Sequence, residues 1–208
     1  MTALPYPRLA LIADGFTDAD RADRAVSAVR AGVRWVHLRD HQAGAEAFET
    51  AARTLATRLR DVADDVTISV NTKIQVAKAL ETGYHLGWRG PSAIEAREQL
   101  GAHTLLGDSA HEEVGISGDR VSGVDYYFFS PVYPTSSKPD QPPAGIPALR
   151  SFCRIASPTP TIALGGITPE RVQACREAGA EGVAVLSGIM DADVPVAATR
   201  AYLRALSA

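Results

Sequence analysis

Short runs rich in β-branched and aliphatic residues alternate, from end to end of this chain, with longer amphipathic stretches of Ala, Arg and Glu. The strand candidates are Arg8–Ala13, Arg34–Arg39, Val66–Val70, Tyr84–Leu86, Thr104–Leu106, Val124–Phe129, Thr161–Leu164 and Gly182–Leu186. Between them the spacing predicts helices over Asp18–Ala31, Gly44–Leu59, Ile74–Glu81, Ser92–Leu100, His111–Ile116, Ile146–Ala156, Pro169–Ala178 and Val194–Leu206. The strands are too apolar to leave a face in water, so they belong in a parallel sheet covered by helices. Eight such pairs within 208 residues fit one α/β domain, a (β/α)8 TIM barrel over 1–208. A doubly wound open sheet is the competing topology. Against it, Ala13-Asp14-Gly15-Phe16-Thr17 after the first strand is no G-x-G-x-x-G. Thr168-Pro169-Glu170 marks a helix start with a capping threonine, and Gly32, Gly83, Gly101 and Gly179 stand where helices should stop.

Barrels of this kind carry their chemistry at the C-terminal ends of the strands, which singles out the residues there. His37 and Arg39 share one face of the second strand, suiting a polar, anion-tolerant pocket; an Arg39–Asp40 pair at the rim is the plainer reading. Asn71 closes the third strand as a neutral donor and acceptor, and His85 on the fourth is expected to fill a layer. After the fifth strand stand Ser109, a helix cap or a pocket hydroxyl, and His111 in the first turn of a helix. Exposed amides there favour a neutral imidazole, which can take up a proton. SPVYPTSSKPD follows the sixth strand, and its three prolines keep it out of helix and sheet. Its Thr135, Ser137 and Lys138 overhang the mouth as a binding loop, or else are simply solvated. Gly165-Gly166 and Ser187-Gly188 end the last two strands, where this fold holds phosphate.

Composition narrows the partners. Lys and Arg total 21 against 24 acidic residues, a net charge of −3, which leaves no general attraction to nucleic acid or anionic membrane. No apolar run approaches ~18 residues and the N-terminus lacks a signal peptide's pattern, so a cytoplasmic protein is expected. Cys153 and Cys175 have no metal-type spacing and are expected as buried thiols, and His37 and His41 straddle a strand end; no metal site is expected.

Taken in order from Val36 to Ile189, HLRDH, SVNTK, YHLGW, GDSAH, DYYFFSPVYPTSSK, ALGGITPERV and AGAEGVAVLSGI resemble the thiamine-phosphate synthase family and its relative TenI, the thiazole tautomerase. The resemblance implies a (β/α)8 barrel, a thiazole phosphate as the small-molecule substrate and a homodimer. Synthases of this family usually carry Gln-Leu-Arg-Glu-Lys on strand two, where this chain has His37 to His41. They carry magnesium aspartates after strands three and four, where it has Asn71-Thr72 and Gly87-Trp88-Arg89-Gly90-Pro91. On those departures the resemblance favours a tautomerase without cofactor. In that reading His111 is general base and acid, and His37 and Arg39 orient a substrate carboxylate. Asn71, Ser109, Thr135, Ser137 and Lys138 bind substrate, while Gly165, Gly166, Ser187 and Gly188 hold the phosphate. The alternative is the synthase, which joins hydroxymethylpyrimidine diphosphate to thiazole phosphate with Mg2+, and Thr135-Ser136-Ser137-Lys138 matches its Thr-x-Thr-Lys loop. A non-catalytic barrel binding thiazole or thiamine phosphate is the third reading.

Overall fold

The computed structural model describes residues 4–87, 90–111, 123–137 and 139–207. Eight parallel strands close into a barrel in sequence order: β1 (Leu9–Asp14), β2 (Trp35–Arg39), β3 (Thr67–Asn71), β4 (Gly83–His85), β5 (Leu106–Ala110), β6 (Tyr126–Phe129), β7 (Thr161–Leu164) and β8 (Gly182–Val185). β8 pairs back onto β1, so no strand edge is left open. Helices α1 (Ala19–Arg30), α2 (Ala45–Val62), α3 (Ile74–Leu80), α4 (Ala93–Leu100), α5 (Gly145–Ala156), α6 (Val172–Glu177), α7 (Ser187–Met190) and α8 (Pro195–Ser207) form the outer layer. The α/β barrel expected from the alternation is the observed fold. The helix expected over His111–Ile116 lies, beyond His111 itself, outside the described residues.

Strand alternation sorts the apolar residues into two cores. Leu9, Leu11, Val36, Leu38, Tyr127 and Phe129 face outward and are covered by the helices. Ala10, Ile12, Trp35, Tyr126, Phe128 and Ile162 face the axis and fill the barrel. Trp35 meets Tyr126 edge to face at 4.6 Å, and each large side chain buried this way stabilises the fold by about 1.5–3 kcal/mol. Gly107 takes an inward position where a side chain would collide with the Tyr126 ring.

Local signals account for most boundaries. Asp18 caps α1 by accepting from the Arg21 amide at 3.1 Å, and Ser92 with Glu95 forms a reciprocal capping box on α4. Three expectations are corrected. Thr168 makes no side-chain cap bond, and Pro169–Arg171 is a separate 3-10 turn ahead of α6. The helix stop expected at Gly83 falls at Glu81, in the left-handed region at φ 51. Gly83 instead begins β4, where a Cβ would sit 3.0 Å from the Leu105 carbonyl oxygen. The fifth strand begins where the sequence reading ends it, running through the polar Gly107-Asp108-Ser109 because β4 and β6 offer it a ladder on both sides. Cys175 is buried and Cys153 half-buried, both as free thiols.

At the closed end of the barrel, Arg97 reaches the fully buried Asp125 carboxylate at 2.8 Å and also donates to the Gly123, Ala102 and Thr104 carbonyls. Asp125 in turn accepts from the Leu106 amide at 2.9 Å. This network ties α4 to the starts of β5 and β6, far from the strand C-termini.

Candidate active site

Inward-facing residues one step below the mouth build a polar floor. The indole N–H of Trp35 donates to Ser69 Oγ at 3.1 Å, and His37 Nδ1 lies 3.0 Å from the same hydroxyl. Across the barrel, His85 Nδ1 sits 3.1 Å from the Tyr126 hydroxyl and Nε2 sits 2.8 Å from Ser109 Oγ. The two imidazoles meet edge to face at 5.0 Å, and His85 stacks on Phe128 at 4.9 Å. Burial pushes His85 down to about 3 and, with lesser contributions from His85, Arg39 and His41, holds His37 well below the ordinary histidine value. Both are therefore neutral at pH 7. Ser109 lies inside β5 as a partner of His85, and the helix-capping reading of it is corrected.

Above the floor, Arg39 pairs with Asp14 at 2.9 Å and not with Asp40. Asp40 accepts from the Thr17 hydroxyl at 2.6 Å and from the Gln42 and Ala43 amides. Burial works against that carboxylate, but these hydrogen bonds outweigh it and hold its pKa below the usual range. Asn71 closes β3 with its Cα in register with His85. His111 is exposed, and its Nδ1–H donates to the Ser130 carbonyl at 2.8 Å.

One cleft, about 540 Å³ with its open mouth counted, joins the last two turns to the proline loop. Its apolar wall is Ile12, Leu164, Ala184 and Leu186, and Arg39 is its cation. Gly165, Gly166, Ser187 and Gly188 form one rim; Thr135 and Ser137 form the other. α7 begins at Ser187; its Ile189 and Met190 amides are bonded to the Leu186 carbonyl, and Ser187 and Gly188 line the cleft. Lys138 lies outside the described residues. His37, Asn71, Ser109 and His111 thus belong to the floor and far side, and the two glycine turns to the cleft.

Two supporting residues carry no sequence signal. Tyr202 of α8 is buried, donates to the Ile167 carbonyl at 2.9 Å, and abuts Gly188, where any side chain would run into its hydroxyl. It braces both turns from behind. Arg171 reaches back to the Gly166 carbonyl. Tyr202 does not follow from spacing, because it acts across elements distant in sequence; Arg171 is only five residues beyond Gly166, but no periodicity marks it.

The resemblance brings Mg2+ with it, and the ends of β3 and β4 do not fit that ion. A hard cation asks for anionic oxygens. Thr72 stands at the first position in the left-handed region at φ 58, and its Cγ2 lies 2.6 Å from where a Gly87 Cβ would be. In the stretch after β4, Gly87 and Gly90 bring no carboxylate. Among the described residues no group of three or more His, Cys, Asp or Glu side chains is arranged to hold a metal.

Fold and site define an enzyme of the (β/α)8 barrel class, with the turns after β7 and β8 lining its cleft. Residues 9–189 match the family model described as thiamine monophosphate synthase, and the chain belongs to the thiamine-phosphate synthase/TenI family. It is similar to the thiamine-phosphate synthase of Syntrophomonas wolfei, 36% identical over 79% of this chain and 78% of that one. It is similar also to that of Natronomonas pharaonis, 36% identical over 86% and 84%. In fold it matches the thiamine phosphate pyrophosphorylase of Pyrococcus furiosus, with a TM-score of 0.83 at 22% identity over 96% and 95% of the two chains. These relatives overturn the tautomerase expected from the motif departures: curated proteins at 30–36% identity are named synthases. The isomerase class falls with it. No helix among the described residues is long and apolar enough to cross a membrane.

Proposed function

We propose that this enzyme is a thiamine-phosphate synthase, a transferase that joins a hydroxymethylpyrimidine diphosphate to a thiazole phosphate and releases pyrophosphate. The observation that carries the reading is the single cleft in which both glycine turns, the proline loop and Arg39 converge, in a chain whose relatives are synthases. The thiazole phosphate fits the cleft. Its phosphate meets the amides of Gly165, Gly166, Ser187 and Gly188, capped by the Thr135 and Ser137 hydroxyls, and its ring lies on Ile12, Leu164, Ala184 and Leu186.

The second substrate lies over the floor of His37, Asn71, His85 and Ser109. The bond from its exocyclic methylene carbon to the diphosphate oxygen breaks, and the electron pair leaves with pyrophosphate. The thiazole nitrogen then donates its lone pair to the methylene cation. A floor of neutral imidazoles supports this chemistry, since an imidazolium there would repel the developing positive charge. Arg39, with Lys138 by sequence position, opposes the charge of the leaving group. His111 ties the end of β5 to Ser130 and so to the root of the proline loop.

The test is pyrophosphate release from the two substrates together, with Mg2+ in the buffer, and from each alone. The reading expects release only with both present. Release from the diphosphate substrate alone at the same rate, or none from the pair, would reject it.

A further inference from the structure

The proline loop is fastened to the Gly165–Gly166 turn backbone to backbone. The Val132 amide donates to the Leu164 carbonyl at 2.9 Å and the Tyr133 amide to the Gly165 carbonyl at 3.0 Å. No room is left for side chains on the turn. A Cβ at Gly165 would lie 2.8 Å from Pro131 Cα, and one at Gly166 would lie 2.8 Å from Tyr133 Cβ and run into the Pro134 carbonyl. Both glycines have positive φ, 98° and 62°, which suits residues without a side chain. The doublet is therefore a seat for the loop as well as a rim of the cleft.

Arg171 grips both halves of this junction from outside. Its Nη1 donates to the Gly166 carbonyl at 2.5 Å, and its guanidinium carbon stands 4.4 Å from the centre of the Tyr133 ring. Beyond that point the loop emerges into solvent: Pro131 and Val132 are buried, Tyr133 is half-buried, and Ser136 and Ser137 are exposed. Thr135 and Ser137, the hydroxyls that face the cleft, begin two residues after the gripped tyrosine. Arg171 does not line the cleft itself.

We propose that Arg171 is a positioning residue, which clamps Tyr133 against the Gly166 carbonyl and so fixes Thr135 and Ser137 over the phosphate-binding turns. The proposal deepens the synthase reading and rests on its placement of the thiazole phosphate. An arginine suits the task because its planar guanidinium can stack on a ring while an N–H binds a carbonyl.

Thiazole phosphate is titrated calorimetrically into the wild type, Arg171→Met, Tyr133→Ala, the double variant and Tyr133→Phe. Hydrogen exchange is followed over 131–137 in each. Arg171→Met and Tyr133→Ala should each weaken binding roughly tenfold, the scale of about 1.4 kcal/mol. The double variant should be no weaker than either single one, and Tyr133→Phe, which keeps the ring, should bind like the wild type. Exchange over 131–137 should rise in Arg171→Met while the thermal midpoint stays in place. Wild-type affinity in Arg171→Met, or penalties that multiply in the double variant, would overturn the clamp. If the wild type itself binds no thiazole phosphate, the substrate reading fails, and exchange alone judges the clamp: an unchanged 131–137 segment in Arg171→Met overturns it.

Discussion

Ser69 shows how much one hydroxyl can organise. It accepts the Trp35 N–H and holds His37 Nδ1 within 3.0 Å, so it orients both an aromatic filler and a floor imidazole. Ser69→Ala should cost about 1–3 kcal/mol by leaving buried polar atoms without partners, read from urea unfolding midpoints. Stability within experimental error of the wild type would mean that the floor repacks without it. Tyr202→Phe should cost about 1 kcal/mol and weaken thiazole phosphate binding, because it releases the Ile167 carbonyl and the brace behind Gly188. Calorimetry with unchanged affinity would assign Tyr202 to packing alone. At this scale the sequence was partly legible. Alternation puts His37 and Arg39 on the inner face, as observed, but not the choice of Asp14 over Asp40 as the partner of Arg39. Asp40 is adjacent in sequence, yet it is occupied by Thr17 and by the Gln42 and Ala43 amides. Asp14 comes from β1, whose register aligns it with Arg39.

Among the elements, β2 and β4 carry the two neutral histidines, and their burial makes the barrel pH-sensitive. The folded-state pKa values lie below the unfolded value of about 6.5, His85 near 3, so between those limits the unfolded chain binds more protons. The stabilisation is complete above about pH 6.5 and is lost progressively as the pH falls toward 3, by at most about 1.4 kcal/mol per pH unit for each histidine. Urea midpoints between pH 7 and 5 should fall more steeply for the wild type than for His85→Gln. Equal slopes would show that His85 does not contribute. Helices and long apolar strands were legible because periodicity and caps reside in their own residues. β5 was misplaced because Gly107-Asp108-Ser109 has little strand propensity of its own, and its pairing with β4 and β6 decides. The sequence shows Gly165-Gly166 as an anion turn or a plain tight turn and not as a seat, since the loop seated on it starts more than thirty residues earlier.

For the whole molecule, stability and chemistry are divided between the two ends of the barrel. Arg97 and Asp125 anchor the closed end, with Asp125 fully buried. Arg97→Ala should destabilise by about 3 kcal/mol, the cost of removing the ion partner of a buried carboxylate, with thiazole phosphate affinity unchanged. Thermal unfolding and calorimetry on the same variant would decide it, and a parallel loss of affinity would deny the division. The fold and family were legible because eight repeats and seven ordered motifs agree with one another. The tautomerase reading rests on a few positions, His37 to His41, Thr72 and the stretch from Gly87 to Pro91. Similarity over 79% and 86% of the chain to proteins named synthases outweighs those few positions.

That the chain forms a carbon–nitrogen bond between two substrates, and does not isomerise one, is tested most directly by mass spectrometry of a quenched single turnover. Wild-type protein in excess over both substrates should yield thiamine phosphate and pyrophosphate in equal amounts, and Gly166→Ala, which displaces the loop from its seat, should slow that yield by at least about tenfold. Pyrophosphate without thiamine phosphate, or a changed thiazole with the diphosphate intact, would contradict the account.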